Sequence, residues 1–165
     1  MIRIIVGDLA LVEADAVVRP TTTTFAPFST NMRALESAAA DVLPNQDEGE
    51  QLALGAAIVT AAGNLRSEYL IHAAVASAGP ATPISVHKAI VSALQRASDW
   101  QFSTVAFPPV GAGPGHLVME ATAEIIIGVL FKHLKERAYP TDVLIVVGNQ
   151  EDKTIFETQL SRLGS

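Results

Sequence analysis

The stretch Val105-Ala106-Phe107-Pro108-Pro109-Val110-Gly111-Ala112-Gly113-Pro114-Gly115-His116 decides the fold. Its first three residues are a short apolar run ended by prolines, as a buried strand would be. Past the glycines, Leu117 to Arg137 repeats Val118, Ala121, Ile125 and Val129 at helical spacing. Lys132, Lys135 and Arg137 gather at its carboxyl end, where cations meet the negative pole of a helix, and Pro140 stops it. Strand, glycine turn and long helix follow one another with nothing between. That order belongs to α/β proteins.

The same alternation extends in both directions. Ile2–Val6, Ala16–Val18, Ala56–Thr60, Tyr69–Val75 and Val143–Val147 read as further strands. Most are continuously apolar, which predicts a sheet covered by helices on both faces. Ser85 to Ala97 predicts a helix with Ile90, Val91 and Leu94 on one stripe, and Thr154 to Leu163 a closing amphipathic helix. Shorter helices are predicted near Ala10 to Ala14 and from Met32 to Val42, the latter capped by Ser29, Thr30 or Asn31. The four-threonine run Thr21–Thr24 reads as an extended loop, and Asn45 to Glu50 is a linker-like acidic segment too short to divide domains. The expectation is one domain over residues 1–165, an α/β sandwich with a largely parallel sheet. In such sheets ligands bind beyond the carboxyl ends of the strands, in the loops after Val6, Val18, Val75, Phe107 and Val147.

Composition narrows the function. The chain has 165 residues, 11 Lys and Arg against 17 Asp and Glu, and a net charge of −6. That balance argues against non-specific grip on nucleic acid, which needs clustered cations to neutralise phosphates. There is no cysteine, so disulfides, thiolate metal sites and cysteine nucleophiles are excluded. His72, His87, His116 and His133 show no metal-ligand spacing, and no Gly-x-Ser-x-Gly elbow occurs. No cofactor or metal is expected. Neither a membrane span nor a secretory signal is legible, and a cytoplasmic protein is the expectation.

Two loops hold candidate chemistry. The three glycines at 111, 113 and 115 permit positive φ, so the loop is either an anion nest before a helix N-terminus or a tight turn needing glycine for geometry alone. Asp8, just after the first strand, either accepts hydrogen bonds from a ligand amine or hydroxyl or caps the next short helix. His72 reads as a satisfied core residue, and His87 and His133 as boundary groups on helices. His116 reads as a phosphate donor, a proton-transfer group or a packed residue at a helix start.

The order Ile2-Arg3-Ile4-Ile5-Val6-Gly7-Asp8-Leu9, Glu13-Ala14-Asp15-Ala16-Val17-Val18, Gly55 to Leu65, Tyr69 to Ala73 and Val105 to Gly113 resembles the macro domains, which bind ADP-ribose. The resemblance spans nearly the whole chain. It implies a three-layer α/β/α sandwich with a mixed, largely parallel six-stranded sheet. It also implies that Asp8 contacts the adenine amine beside Leu9, and that Val110, Gly111, Ala112, Gly113, Pro114, Gly115 and His116 surround the diphosphate and distal ribose. Its expected partners are an ADP-ribose-like nucleotide or an ADP-ribosylated protein.

The departures from that family are specific. Arg19-Pro20-Thr21-Thr22-Thr23-Thr24 stands where the family usually reads Asn-Ala-Ala-Asn, so a threonine hydroxyl, with Thr22 as the candidate ligand residue, is offered in place of the asparagine amide that orients the distal ribose. Phe25, Pro27, Phe28 and Met32 stand where the family has a first glycine-rich loop. Arg19 and Arg33 either substitute for lost amides by pairing with phosphate or are solvated. Gly148 and Asn149 replace a common aromatic over adenine, and Gly115 and His116 replace a late tyrosine. Three readings follow: a binding module for ADP-ribose or a related adenine-nucleotide diphosphate with a remodelled first phosphate loop; a hydrolase acting on an ADP-ribose phosphomonoester or O-acetyl ester; and a scaffold acting through protein contacts, self-associating through the Phe25–Met32 loop.

Overall fold

The computed structural model describes residues 1–28, 32–44 and 51–164. Six strands form one sheet: β1 (Ile2–Val6), β2 (Ala16–Thr22), β3 (Ala57–Ala61), β4 (Tyr69–Ala76), β5 (Thr104–Phe107) and β6 (Asp142–Val147), in the order β1-β6-β5-β2-β4-β3. Every pairing is parallel except β3 with β4. Among the described residues four α-helices accompany it: α1 (Arg33–Ala38), α2 (Pro83–Asp99), α3 (Met119–Glu136) and α4 (Gln150–Gly164). The architecture is the expected mixed, largely parallel α/β/α sandwich.

Strand periodicity explains the two cores. Successive side chains point to opposite faces, so Ala16 and Val18 join the cluster formed with α2, α3 and α4, while Val17 joins a smaller cluster with Leu35 and Ala39 around α1. Both faces being covered, the central strands read as unbroken apolar runs. The two covering layers are unequal. Among the described residues three long helices lie on one face, whereas α1, the 3-10 turns Leu9–Leu11 and Ala40–Val42 and connecting loops cover the other.

Several boundaries differ from expectation for visible reasons. β2 continues past Val18 to Thr22, so Thr21 and Thr22 are strand residues and only Thr23 and Thr24 turn. Its pairing with β5 ends at Val17 opposite Ala106. Beyond that point the strand has one neighbour, an edge-like setting that tolerates Pro20. The helix expected at Ala10 to Ala14 is a single 3-10 turn. α4 begins at Gln150 rather than Thr154, because the Asp152 N–H donates to Asn149 Oδ1 at 2.8 Å and caps the first turn. α1 is six residues long with Met32 at its N-cap and no side-chain cap bond. Ser29, Thr30 and Asn31, expected to cap it, lie outside the described residues, as does the acidic segment Asn45 to Glu50.

Candidate ligand cleft

Because β1, β2, β5 and β6 run parallel, the loops that leave them open on one edge of the sheet. A cleft of about 530 Å³ lies there. Its walls come from the loops after β1, β5 and β6, from Pro20 of β2, from Phe28, from Met32 and α1, and from Met119 and Asp152 at the starts of α3 and α4. The loop after β4 takes no part.

Asp8 follows β1 because Gly7 N–H still donates to Val147 O at 3.0 Å, extending the β1–β6 pairing by one bond. Asp8 Oδ1 accepts from Ala10 N–H at 2.9 Å and caps the 3-10 turn. Its Oδ2 has no hydrogen-bond partner among the described residues, and the side chain is exposed at the cleft. Capping and an open acceptor therefore coexist. Leu9 is buried and lines the cleft beside it.

Four N–H groups of the glycine-rich segment are spent within it. Ala112, Gly113, His116 and Leu117 donate their N–H groups to Pro109, Leu117, Gly113 and Gly111 carbonyls, all within the loop. Gly111, Gly113 and Gly115 do adopt positive φ, and Gly111 must also be glycine because a Cβ there would overlap Val86 of α2. His116 Nδ1 accepts the Ala81 N–H at 2.9 Å, which requires that nitrogen to be unprotonated. Its ring packs on Phe28 with centroids 4.3 Å apart. His116 thus ties the first loop, the glycine loop and the entry to α2.

The first loop is organised by a buried cation. Arg19 shares the face of β2 that carries Val17 and Thr21, toward α1, and is 1% exposed. Its Nη2 donates to Glu36 Oε1 at 2.6 Å and to Phe25 O at 2.9 Å, and its Nε to Glu36 Oε2. Nη1 faces His72 Nδ1 at 3.2 Å. A guanidinium has no acceptor, so His72 accepts at Nδ1 and donates from Nε2 to Thr60 Oγ1 at 2.7 Å. Burial, then the Arg19 charge, pushes the His72 pKa down to about 3. Neither sequence reading of Arg19 describes this arrangement: it is neither solvated nor directed at a ligand. Arg33 is exposed.

Apart from the exposed Pro27, the apolar residues of that loop are buried or half-buried. Phe25 is buried against Leu52 and Ala74 at φ 66°, and Phe28 and Met32 are half-buried. Thr22 Oγ1 accepts from Ala26 N–H and meets Thr24 Oγ1, so its hydroxyl is spent on the turn.

Of the residues expected to bind a ligand, Asp8, Leu9, Ala112 and Gly113 line the cleft, and so do Pro20, Phe28, Met32, Gly148 and Asn149, which the sequence marked as departures from the family. Thr22, Val110, Gly111, Pro114, Gly115 and His116, expected at the ligand, are not among its lining residues. Sequence reading missed Met119, Asp152, Ala34 and Leu35, whereas Pro108 and Pro109 belong to the loop it had singled out. Asp152 carried a signal: it sits one helical turn past the capping Asn149, which aims it back toward the strand's carboxyl end. Among the described residues no three His, Asp or Glu side chains are grouped to hold a metal ion, and no helix is long and apolar enough to cross a membrane.

The Macro domain family model matches residues 33–126. The chain is 28% identical over 170 residues to a histone macroH2A1.1 of Capsaspora owczarzaki, covering 93% of this chain and 44% of that one, so it spans under half of that relative. It is 26% identical over 176 residues to an O-acetyl-ADP-ribose deacetylase of Enterobacter, covering 99% and 95% of the two chains. Among solved structures, an Oceanobacillus iheyensis macrodomain variant with ADPR superposes with a TM-score of 0.79 at 21% identity, over 97% of this chain and 91% of that one.

Proposed function

The chain belongs to the macro domain family, and on that premise we propose that it is a binding module for ADP-ribose or a related adenine-nucleotide diphosphate, free or carried on an ADP-ribosylated protein. The observation that carries this reading is Asp8: one carboxylate oxygen holds the turn and the other is open to the cleft. Such an acceptor, fixed at the carboxyl end of β1, suits the exocyclic amine of adenine. Leu9 supplies the apolar surface beside it. The diphosphate then runs toward Ala112 and Gly113, and the ligand meets a compact wall of Phe28 and Leu35 in place of a second glycine loop. Residues 1–165 act as one unit in this reading.

A second reading, hydrolysis of an O-acetyl ester or phosphomonoester of ADP-ribose, draws on the name of the Enterobacter relative. It requires a bound water or His116 as the proton carrier, and His116 Nδ1 is already engaged by Ala81 N–H.

Calorimetric titration with ADP-ribose tests the binding reading, with Asp8→Ala and Asp8→Asn alongside. The expected result is saturable micromolar binding, weakened by about 1–3 kcal/mol in Asp8→Ala through loss of a hydrogen bond to a buried ligand group. Asn retains the capping oxygen, so Asp8→Asn separates the ligand effect from loss of the turn. No heat at millimolar ligand overturns the reading. Release of acetate or phosphate from the corresponding derivatives would favour the hydrolase.

A further inference from the structure

The cleft carries two carboxylates and no compensating cation. Asp8 and Asp152 are the only charged side chains lining it among the described residues, and no Lys, Arg or His joins them. The Arg19 guanidinium near the same wall is buried and committed to Glu36 and the Phe25 carbonyl. Asp8 and Asp152 lie at one end, because β1 and β6 are parallel neighbours with Val6 opposite Val147. Asp8 follows the first of these strands, and Asp152 stands in the first turn of α4, which follows the second.

The position of Asp152 is set by its helix. Its N–H donates to Asn149 Oδ1 at 2.8 Å, and Lys153 N–H donates to Asn149 O at 3.2 Å. The carboxylate itself makes no hydrogen bond or ion pair among the described residues, although the residue is half-buried. It is an open acceptor beside an open acceptor.

We infer that Asp152 is a specificity-determining residue, selecting adenine nucleotides whose base-linked ribose carries free hydroxyls over those phosphorylated on that ribose. The inference rests on the binding reading above, which puts adenine at Asp8. The ribose attached to that base then lies at the same end of the cleft. A carboxylate there accepts a hydrogen bond from a 2′- or 3′-hydroxyl, whereas a phosphate on the same oxygen offers no proton and brings like charge to a site without a cation. Carboxylate for a hydroxyl and arginine for a phosphate is the general chemistry by which nucleotide sites make this distinction. The partial enclosure of Asp152 strengthens the repulsion over its value in bulk water.

Titration with ADP-ribose and with ADP-ribose 2′-phosphate, on the wild-type chain and on Asp152→Asn, tests it. Wild type is expected to bind the phosphorylated form about tenfold or more weakly, by repulsion across a few ångströms. Asp152→Asn is expected to narrow that ratio to about threefold, chiefly by tighter binding of the phosphorylated form. Raising the salt concentration should narrow the wild-type ratio as well, since screening weakens the repulsion. Equal affinities in wild type, or an unchanged ratio in a folded Asp152→Asn, overturn the inference while leaving the binding reading intact. If neither compound binds, the binding reading fails and the inference falls with it.

Discussion

Arg19 and Glu36 form a two-pronged ion pair between β2 and α1, with the arginine side chain 1% and the glutamate 14% exposed. This pair, rather than a run of glycines, anchors the first loop of the cleft at Phe25. It ties α1, whose Ala34 and Leu35 line the cleft, to the sheet, and it also holds the Phe25 carbonyl.

Removing one partner leaves a buried charge alone. Glu36→Ala is expected to lower the unfolding free energy by about 3 kcal/mol or more, whereas an apolar pair such as Arg19→Met with Glu36→Leu costs less than the single change. Urea denaturation of the single and double variants checks this; a double variant less stable than Glu36→Ala would contradict it.

The same network makes stability depend on pH. The His72 pKa is lowered to about 3 in the folded chain, by burial first and by Arg19 second. The unfolded histidine titrates near its ordinary value of about 6.5. Between these limits the unfolded state binds a proton that the native state refuses, so stability falls as pH falls through this window. The steepest contribution is about 1.4 kcal/mol per pH unit for one proton. His72→Gln, which retains a donor and an acceptor, is expected to flatten the denaturation midpoint against pH between about pH 6 and 4. Parallel profiles for the two proteins would exclude the effect.

Two glycines of one loop should respond differently to alanine. Gly115 has positive φ and open space around it, so Gly115→Ala is expected to cost about 1 kcal/mol, the conformational penalty alone. At Gly111 the added methyl also overlaps Val86 in the core, and Gly111→Ala is expected to cost about 3 kcal/mol through strain and displaced packing. Thermal melts of the two variants rank them directly.

His116 is expected to act as a brace. His116→Ala leaves the Ala81 N–H unpaired and removes the ring under Phe28, which should lower stability by about 1–3 kcal/mol. Hydrogen exchange at Ala81 should quicken by a corresponding factor. Unchanged protection at that amide would show the bond to be dispensable.

Much of the fold was legible because it rests on local patterns. Apolar runs located all six strands, and 3.6-residue periodicity located α2, α3 and α4. Strand–helix alternation forced a largely parallel sheet, and with it a ligand edge at the strands' carboxyl ends. Asp8 was readable at that edge because it follows a strand directly, and Leu9 through the resemblance to the macro domains. Other features were settled by contacts between distant residues. Arg19 and Glu36 are 17 residues apart, and Arg19 and His72 are 53 apart; no local pattern says that such groups meet, or that an arginine in a strand is buried. Nor does a glycine count reveal whether loop amides face a ligand or one another, since hydrogen-bond direction depends on where the chain returns. Asp152 reached the cleft because an asparagine cap started α4 four residues earlier than its apolar stripe suggests. Periodicity is a property of neighbours in the chain and determined the layers; charge pairing and cleft lining are properties of neighbours in space, and only the packed sheet and helices decided them.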